Sequence, residues 1–252
     1  TREVPDTLSI GFILSVFGIE LLYGFYSSFS YLLYGLLGFA ASFVLVLILY
    51  HAKQMGGGDA KLLMGLGAAF ASFNDPYPLL LIILLGIVTI GGLYSFLWGL
   101  FIFVKERKKS FPLFKENLRH KRRSRIFVII ASITLLILSL IYTDTVFRFL
   151  LITLALSILM LFYLSVFIKI VEKVGFLKHV PISKATEGDW LAKDVKVKGK
   201  VICSSKEVCL DKKQLSLLRK NKVKKVWIKI GIPFVPAIFL STLASILIYY
   251  LL

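Results

Sequence analysis

The sequence predicts an all-α polytopic membrane protein with about seven transmembrane helices and a small cytosolic α+β module. Of its 252 residues, 58% are hydrophobic, and the mean hydropathy is +0.83. A soluble domain does not contain so much apolar surface, so the chain is expected to cross a membrane several times. The 31 Lys and Arg, against 14 Asp and Glu, stand in blocks between apolar runs. This pattern favours cytoplasmic loops over nucleic-acid binding.

Six apolar runs are long enough to span a bilayer. They are 7–25, 31–51, 78–104, 126–142, 149–171 and 232–252. A seventh run, 60–73, has 14 residues and would reach only about 21 Å as a helix. By its length alone this run is either re-entrant or spanning.

The distribution of charge favours a crossing by the short run. With residues 1–6 in the cytoplasm and all seven runs crossing, 30 of the 31 basic residues lie inside or at inner helix ends, and only Arg148 lies outside. This is the positive-inside arrangement. The expected divisions are a membrane core (1–104), a basic cytosolic loop (105–125), a transmembrane helix hairpin (126–171), a basic cytosolic module (172–230) and a C-terminal transmembrane helix (231–252).

The cytosolic module carries signals of both strand and helix. Residues 195–202 and 224–230 alternate apolar and Lys residues, which is typical of half-exposed strands. Between them, 211–220 has the pattern of a short amphipathic helix that begins at an Asp cap. A β-α-β arrangement is the simplest interpretation. Cys203 and Cys209 lie in this Lys-rich region, where neither a disulfide nor a zinc site is expected.

The sequence Gly56-Gly57-Gly58-Asp59, followed by Lys61, marks the boundary between two apolar runs. A carboxylate at the mouth of a membrane helix is costly to maintain and is usually functional. The glycines allow another backbone to approach closely, and Lys61 is expected either to lower the pKa of Asp59 or to extend to the interface. We therefore expect a membrane enzyme that uses Asp59 against a peptide bond. The structural alternative is that Asp59 caps the short helix that follows.

Hydrolysis by aspartates requires a second carboxylate near the same membrane surface, so that one group acts as base and the other as acid. Glu3 and Asp6 satisfy this by position. Glu20 lies about 20 Å further along its helix and is expected to face a neighbouring helix or a polar pocket. Asp75 and Asp144 are expected on the outside.

Other catalytic chemistries have little support in the sequence. No G-x-S-x-G elbow and no P-loop is present. The three histidines, His51, His120 and His179, are scattered without the spacing of a zinc protease. We expect no metal and no cofactor.

The segments TREVPD at 1–6 and GGGDAK at 56–61 resemble the type IV prepilin peptidases, which are GxGD-type intramembrane aspartic peptidases. The resemblance is closest to the archaeal branch that includes preflagellin (prearchaellin) peptidase. It is most specific over 1–70 and returns weakly at 187–195 and 231–236. Residues 77–175 are similar only as hydrophobic helices.

The resemblance implies that Asp59 is one of two catalytic aspartates, framed by Gly56 and Gly58. The family's other aspartate lies a few residues before an R-x-[IV]-P-[DN] stretch that aligns with residues 2–6. It is therefore expected upstream of Thr1, together with one further membrane helix. Asp6 is an unconvincing substitute because the family position also accepts Asn. The Cys-x-x-Cys zinc region of bacterial members is absent, so their methyltransferase activity is not expected.

The function implied by the resemblance is removal of the leader peptide from type IV prepilin-like or prearchaellin precursors at the cytoplasmic face of the cell membrane. The expected partners are these precursors and the lipid bilayer. One alternative is a GxGD peptidase of the presenilin or signal-peptide-peptidase type, although the Tyr-Asp pair of those enzymes is missing. Another is a non-catalytic scaffold or transporter, for which only Glu20 supplies a charge near mid-membrane.

Overall fold

The computed structural model describes residues 4–51, 55–71, 78–197, 200–204, 210–221 and 223–251. These residues form nine α-helices and five short strands. The helices are α1 (Asp6–Tyr26), α2 (Ser30–His51), α3 (Gly57–Ala69), α4 (Leu79–Lys105), α5 (Arg107–His120), α6 (Arg122–Ile141), α7 (Thr145–Val171), α8 (Lys212–Lys220) and α9 (Val235–Leu251). The strands are β1 (Leu177–Pro181), β2 (Trp190–Leu191), β3 (Val195–Val197), β4 (Lys200–Cys203) and β5 (Lys225–Lys229).

Five helices in the described part of the chain, α1, α2, α4, α6 and α7, are long and apolar enough to cross a membrane. The fold class is confirmed, but the expected count of about seven spans exceeds this number. The reason is length. A span needs about 20 residues, whereas α3 has 13 and α9 has 17.

The chain divides into two compact units, one formed by Thr1–Leu97 with Lys178–Leu252 and the other by Trp98–Leu177. In the first unit, α3 packs along both α1 and α2. The centre of this packing is Leu63 on α3, which is 1% exposed and lies in one cluster with Val46 of α2 and Ile83 of α4. A short helix with so buried a core position is held by its neighbours rather than by its own propensity.

In the second unit, α5 departs from the expected loop at 105–125. It is an amphipathic helix whose apolar side includes Leu113, Phe114 and Leu118. These side chains pack on a cluster formed by Phe103 at the end of α4 and by Val166, Ile170 and Val171 of α7. The basic residues remain on the other side, so burial of one face explains how such a charged segment becomes helical.

The module has α+β structure, as expected, but not the β-α-β order. The segment predicted as one strand, 195–202, forms an antiparallel hairpin of β3 and β4, and its residues 198 and 199 lie outside the described part. Strand β5 instead lies between β1 and β2 in a separate three-stranded sheet. Helix α8 is capped by Asp211, as the sequence predicted, and Asp211 also forms a capping box with Gln214.

The core of the module consists of apolar side chains from all its elements, including Cys203 at 1% exposure. Its fully buried centre is made by Leu210, Leu218 and Val226. Cys209 lies outside the described residues.

Candidate active site

The beginnings of α1 and α3 are joined by an ion pair. The Lys61 Nζ atom donates to the Asp6 Oδ1 atom at 2.6 Å. The Asp6 side chain is 71% exposed and the Lys61 side chain 33% exposed, so solvent reaches the pair and screens it. Lys61 was expected to interact with Asp59 or the interface. The structure places its ammonium group on Asp6 instead, and so connects two segments that are 55 residues apart in sequence.

The three glycines before Asp59 have different surroundings. A Cβ atom at Gly58 would lie 3.1 Å from the backbone nitrogen of Val4 and 3.2 Å from its carbonyl oxygen. A Cβ atom at Gly57 would meet nothing within 4 Å, and one at Gly56 would make an ordinary contact with Asp59 Oδ2 at 3.7 Å. Close backbone approach is therefore needed only at Gly58, where the chain's own N-terminal segment already occupies the space.

Asp59 lies in the first turn of α3 and does not cap it. The N-cap position is held by Gly56, in an extended conformation and without a side-chain hydrogen bond. The Asp59 side chain is half-buried, and Ala60 and Leu63 of the same helix are buried. Within the described part of the chain, its carboxylate has no hydrogen bond and no ion pair.

Burial changes the protonation of this carboxylate. Asp59 lies outside the five candidate spans, and burial raises the pKa of its carboxyl to about 6, because removal from water disfavours the charged form. The sequence allowed Lys61 to lower this pKa, but in the structure Lys61 pairs with Asp6 and the pKa is raised. A carboxyl group that titrates near neutral pH can both accept and return a proton, which is the property that general acid–base catalysis requires.

Helix α3 is fixed against α2 by residues without bulk. A Cβ atom at Gly67 would overlap the Ser42 hydroxyl, and one at Gly38 would overlap the Gly67 carbonyl oxygen. Such small-residue contacts allow two helix backbones to approach closely. On the opposite side, Gly65 faces the ring of Phe12 on α1. Asp59 is therefore carried by a helix whose position is closely determined.

Glu20 lies away from Asp59, at a close contact between α1 and α2. Its carboxylate lies against Gly35 of α2, where any Cβ atom would overlap it, and its Oε2 atom is buried without a hydrogen-bond partner among the described residues. Since Glu20 is 14 residues beyond Asp6, it lies about 21 Å further along α1. It faces a neighbouring helix, as the sequence suggested, and is too far along to pair with Asp59.

The remaining acidic residues that the structure describes mostly have structural partners. Asp144 caps α7 by accepting from the Phe147 backbone nitrogen at 2.9 Å. Asp189 accepts from the Thr186 nitrogen at 2.8 Å. No group of three or more His, Cys, Asp or Glu residues is close enough to hold a metal ion anywhere in the described ranges.

Comparison with known proteins agrees with this arrangement over the first part of the chain. The sequence model of the type IV leader peptidase family matches residues 1–104. These residues, 104 of the 252, resemble the type IV leader peptidase family. They comprise α1 to α4 together with Asp59, the three glycines and the Asp6–Lys61 pair. No curated protein and no solved structure matches the chain.

The family named by this match consists of leader peptidases, and the five long apolar helices are those of a multi-pass membrane protein. The matched region ends at residue 104, just before α5. Two contacts within that region were not anticipated from sequence, namely the Asp6–Lys61 pair and the approach of Val4 to Gly58. The only sequence signal for the ion pair was a pair of opposite charges, each near the beginning of a helix.

Proposed function

We propose that the protein is a membrane aspartic endopeptidase that cleaves the leader peptide from type IV prepilin-like or prearchaellin precursors. The observation that carries the proposal is the state of Asp59. It is a half-buried carboxyl group without a described partner, in the first turn of a tightly packed helix, within the region that matches the leader peptidase family. A side chain with only a structural role would be expected to have found a hydrogen bond.

In the proposed mechanism Asp59 shares one proton with a second carboxylate. The ionised member takes a proton from water, which attacks the carbonyl carbon of the scissile peptide bond. The protonated member donates its proton to the carbonyl oxygen, which gives a tetrahedral gem-diol. The member that took the proton from water then passes it to the amine nitrogen, the other member regains a proton from a gem-diol hydroxyl, and the C–N bond breaks to leave a carboxylic acid and an amine. The described residues do not identify this second carboxylate. Asp6 is a poor candidate for that role, because its side chain is 71% exposed and is already paired with Lys61.

The glycines would act by position rather than by chemistry. Gly58 lets the Val4 backbone close over the first turn of α3, while Gly57 leaves an open surface beside Asp59. We assign this open surface to the approach of the substrate backbone. The cytoplasmic face is supported by the positive-inside distribution of 30 of the 31 basic residues.

The test is cleavage of a prepilin-like and a prearchaellin precursor in liposomes by the protein with all residues that its gene encodes. Asp59→Asn should reduce cleavage by about a hundredfold or more, because an amide can neither accept nor donate the catalytic proton. Asp144→Asn is the matched control: it makes the same chemical change at a carboxylate that caps α7, and Asn is also a good cap. Cleavage by Asp59→Asn at the rate of the control would refute the proposal.

A further inference from the structure

A basic cavity lies between α5 and the beginning of α6, outside the part of the chain that matches the leader peptidase family. Its volume is about 520 Å³, within the usual range for small-ligand sites. It is formed entirely within the unit Trp98–Leu177. The lining residues are Pro112, Lys115, Glu116, Leu118, Arg119, Arg122 and Arg125.

The charge of this cavity is uncompensated. Four cations line it against one carboxylate, that of Glu116, and the Glu116 Oε1 atom lies 3.7 Å from the Nε2 atom of His120. Among the described residues, none of the four lining cations forms a salt bridge. Cations held this close repel one another, so an anion in the cavity would be strongly favoured.

The end of α6 adds to the positive potential. This helix begins at Arg122 without a side-chain cap and without an acidic residue in its first turn. A helix N-terminus carries roughly half a positive charge and usually attracts acidic side chains. Here Arg122, Arg123 and Arg125 occupy the first turn instead. A bound anion would accept hydrogen bonds from the guanidinium groups of Arg122 and Arg125, which line the cavity, and from free backbone N–H groups of α6.

The walls of the cavity are held in place by apolar contacts. The Phe114 ring of α5 meets the Phe103 ring edge-on, with centroids 5.9 Å apart. Leu118 packs on the same cluster, and the Lys121 Nζ atom lies 6.0 Å from the centroid of the Phe162 ring. The basic side chains therefore project from a fixed framework.

The position of the cavity indicates which kind of anion it takes. Helix α6 is a candidate membrane span that begins at Arg122, so the cavity lies at the polar end of a span, at the level of lipid headgroups. Its lining also includes the apolar residues Pro112 and Leu118. We propose that the cavity binds the phosphate headgroup of an anionic phospholipid, with Arg119, Arg122 and Arg125 as the principal ligands and the acyl chains against α6.

Binding can be measured by native mass spectrometry of the detergent-purified full chain with phosphatidylglycerol, phosphatidylcholine or inorganic phosphate as the probe. The cavity variant replaces Arg119, Arg122 and Arg125 with Gln. The control variant removes the same charge from exposed residues that do not line the cavity, namely Arg107, Lys108 and Arg123. Both variants leave the apolar face of α5 intact, and their elution on gel filtration checks that they fold.

We expect wild type and control to retain phosphatidylglycerol over phosphatidylcholine, and the cavity variant to lose affinity for phosphatidylglycerol by about tenfold or more. Equal losses in the two variants would overturn the proposal, because they would indicate a general effect of surface charge. Displacement of the lipid by an equal concentration of inorganic phosphate would also overturn it in favour of a soluble anion. Glu116→Gln provides a test in the opposite direction: removal of the only lining carboxylate should strengthen lipid binding, and unchanged or weaker binding would count against the site.

Discussion

Replacement of Gly67 by alanine tests whether the packing of α3 on α2 determines the position of Asp59. The added Cβ atom would lie 2.6 Å from the carbonyl oxygen of Gly38 and would overlap the Ser42 hydroxyl. An ordinary contact begins at 3.4 Å, so α3 has to move away from α2 by about 0.8 Å at this point. The obstacle is backbone, which cannot turn aside as a flexible side chain can.

The expected cost follows from this displacement. Overpacking of this kind costs about 1–3 kcal/mol, while alanine in place of glycine in a helix returns at most about 1 kcal/mol. Because the contact is with a backbone carbonyl group, we expect an overpacking cost near 3 kcal/mol. After the gain from alanine, the net loss in the free energy of unfolding is about 2 kcal/mol. If the displacement reaches Asp59, the proposed catalytic group, we expect turnover to fall as well, by about tenfold to a hundredfold.

The assay combines reversible unfolding in mixed micelles with precursor cleavage in liposomes. Gly18→Ala on α1 is the matched control, since its added Cβ atom meets nothing within 4 Å. That variant should be at least as stable as wild type and fully active. Adding Ser42→Gly to Gly67→Ala should recover only part of the stability, because the Gly38 carbonyl remains in contact. The reasoning is refuted if Gly67→Ala and Gly18→Ala behave alike in both measurements.

Three further predictions concern the beginning of α3. Gly58→Ala should slow cleavage, because its Cβ atom presses on backbone 3.1 Å away, whereas Gly57→Ala should not, because its side is open. Burial raises the pKa of Asp59 from 3.8 to about 6. The contribution of Asp59 to folding stability should therefore be largest below pH 4 and should fall as the pH rises to about 6. The thermal midpoints of wild type and Asp59→Asn, compared between pH 4 and pH 7, measure this change in stability. Asp6→Asn and Lys61→Gln should each cost less than about 1 kcal/mol, in a salt-dependent way, as expected of an exposed pair.

Each of these predictions has a clear contrary result. Equal cleavage rates for the two glycine variants would mean that Val4 yields without effect on the site. Parallel pH profiles for wild type and Asp59→Asn would mean that Asp59 titrates alike in the folded and unfolded chain. A hundredfold loss of cleavage in Asp6→Asn, without a similar loss in Lys61→Gln, would make Asp6 the second catalytic carboxylate.

Sequence reasoning located the membrane helices well. All six long apolar runs correspond to helices whose ends differ from the predicted ones by four residues or fewer. The hydropathy and length of a segment depend only on its own residues, so apolar helices can be predicted without knowledge of tertiary contacts. The leader peptidase resemblance over the first part of the chain is confirmed by the family match to residues 1–104. The roles of Asp59 and its neighbours stay predictions.

Other features depend on contacts between distant segments and could not be read in this way. Helix α5 contains Pro112 and many charges, and it is stabilised by burial of Phe114 and Leu118 on another part of the chain. The hairpin of β3 and β4 was predicted as one strand because the alternation of apolar and Lys residues keeps the same phase in the sequence from Val195 to Val201. Gly57 and Gly58 are indistinguishable in sequence, and only the presence of Val4 makes one of them tight.

The Asp6–Lys61 pair also has a consequence for the order of events during synthesis. Its partners are separated by 55 residues, which a ribosome adding about 5–20 residues per second translates in roughly 3–11 s. During that interval α1 and α2 are available to the membrane while α3, and Asp59 with it, has not yet been made. The nascent protein therefore passes through a stage in which α1 and α2 have been made but Asp59 has not, and the proposed proteolytic centre can form only once α3 packs on both helices.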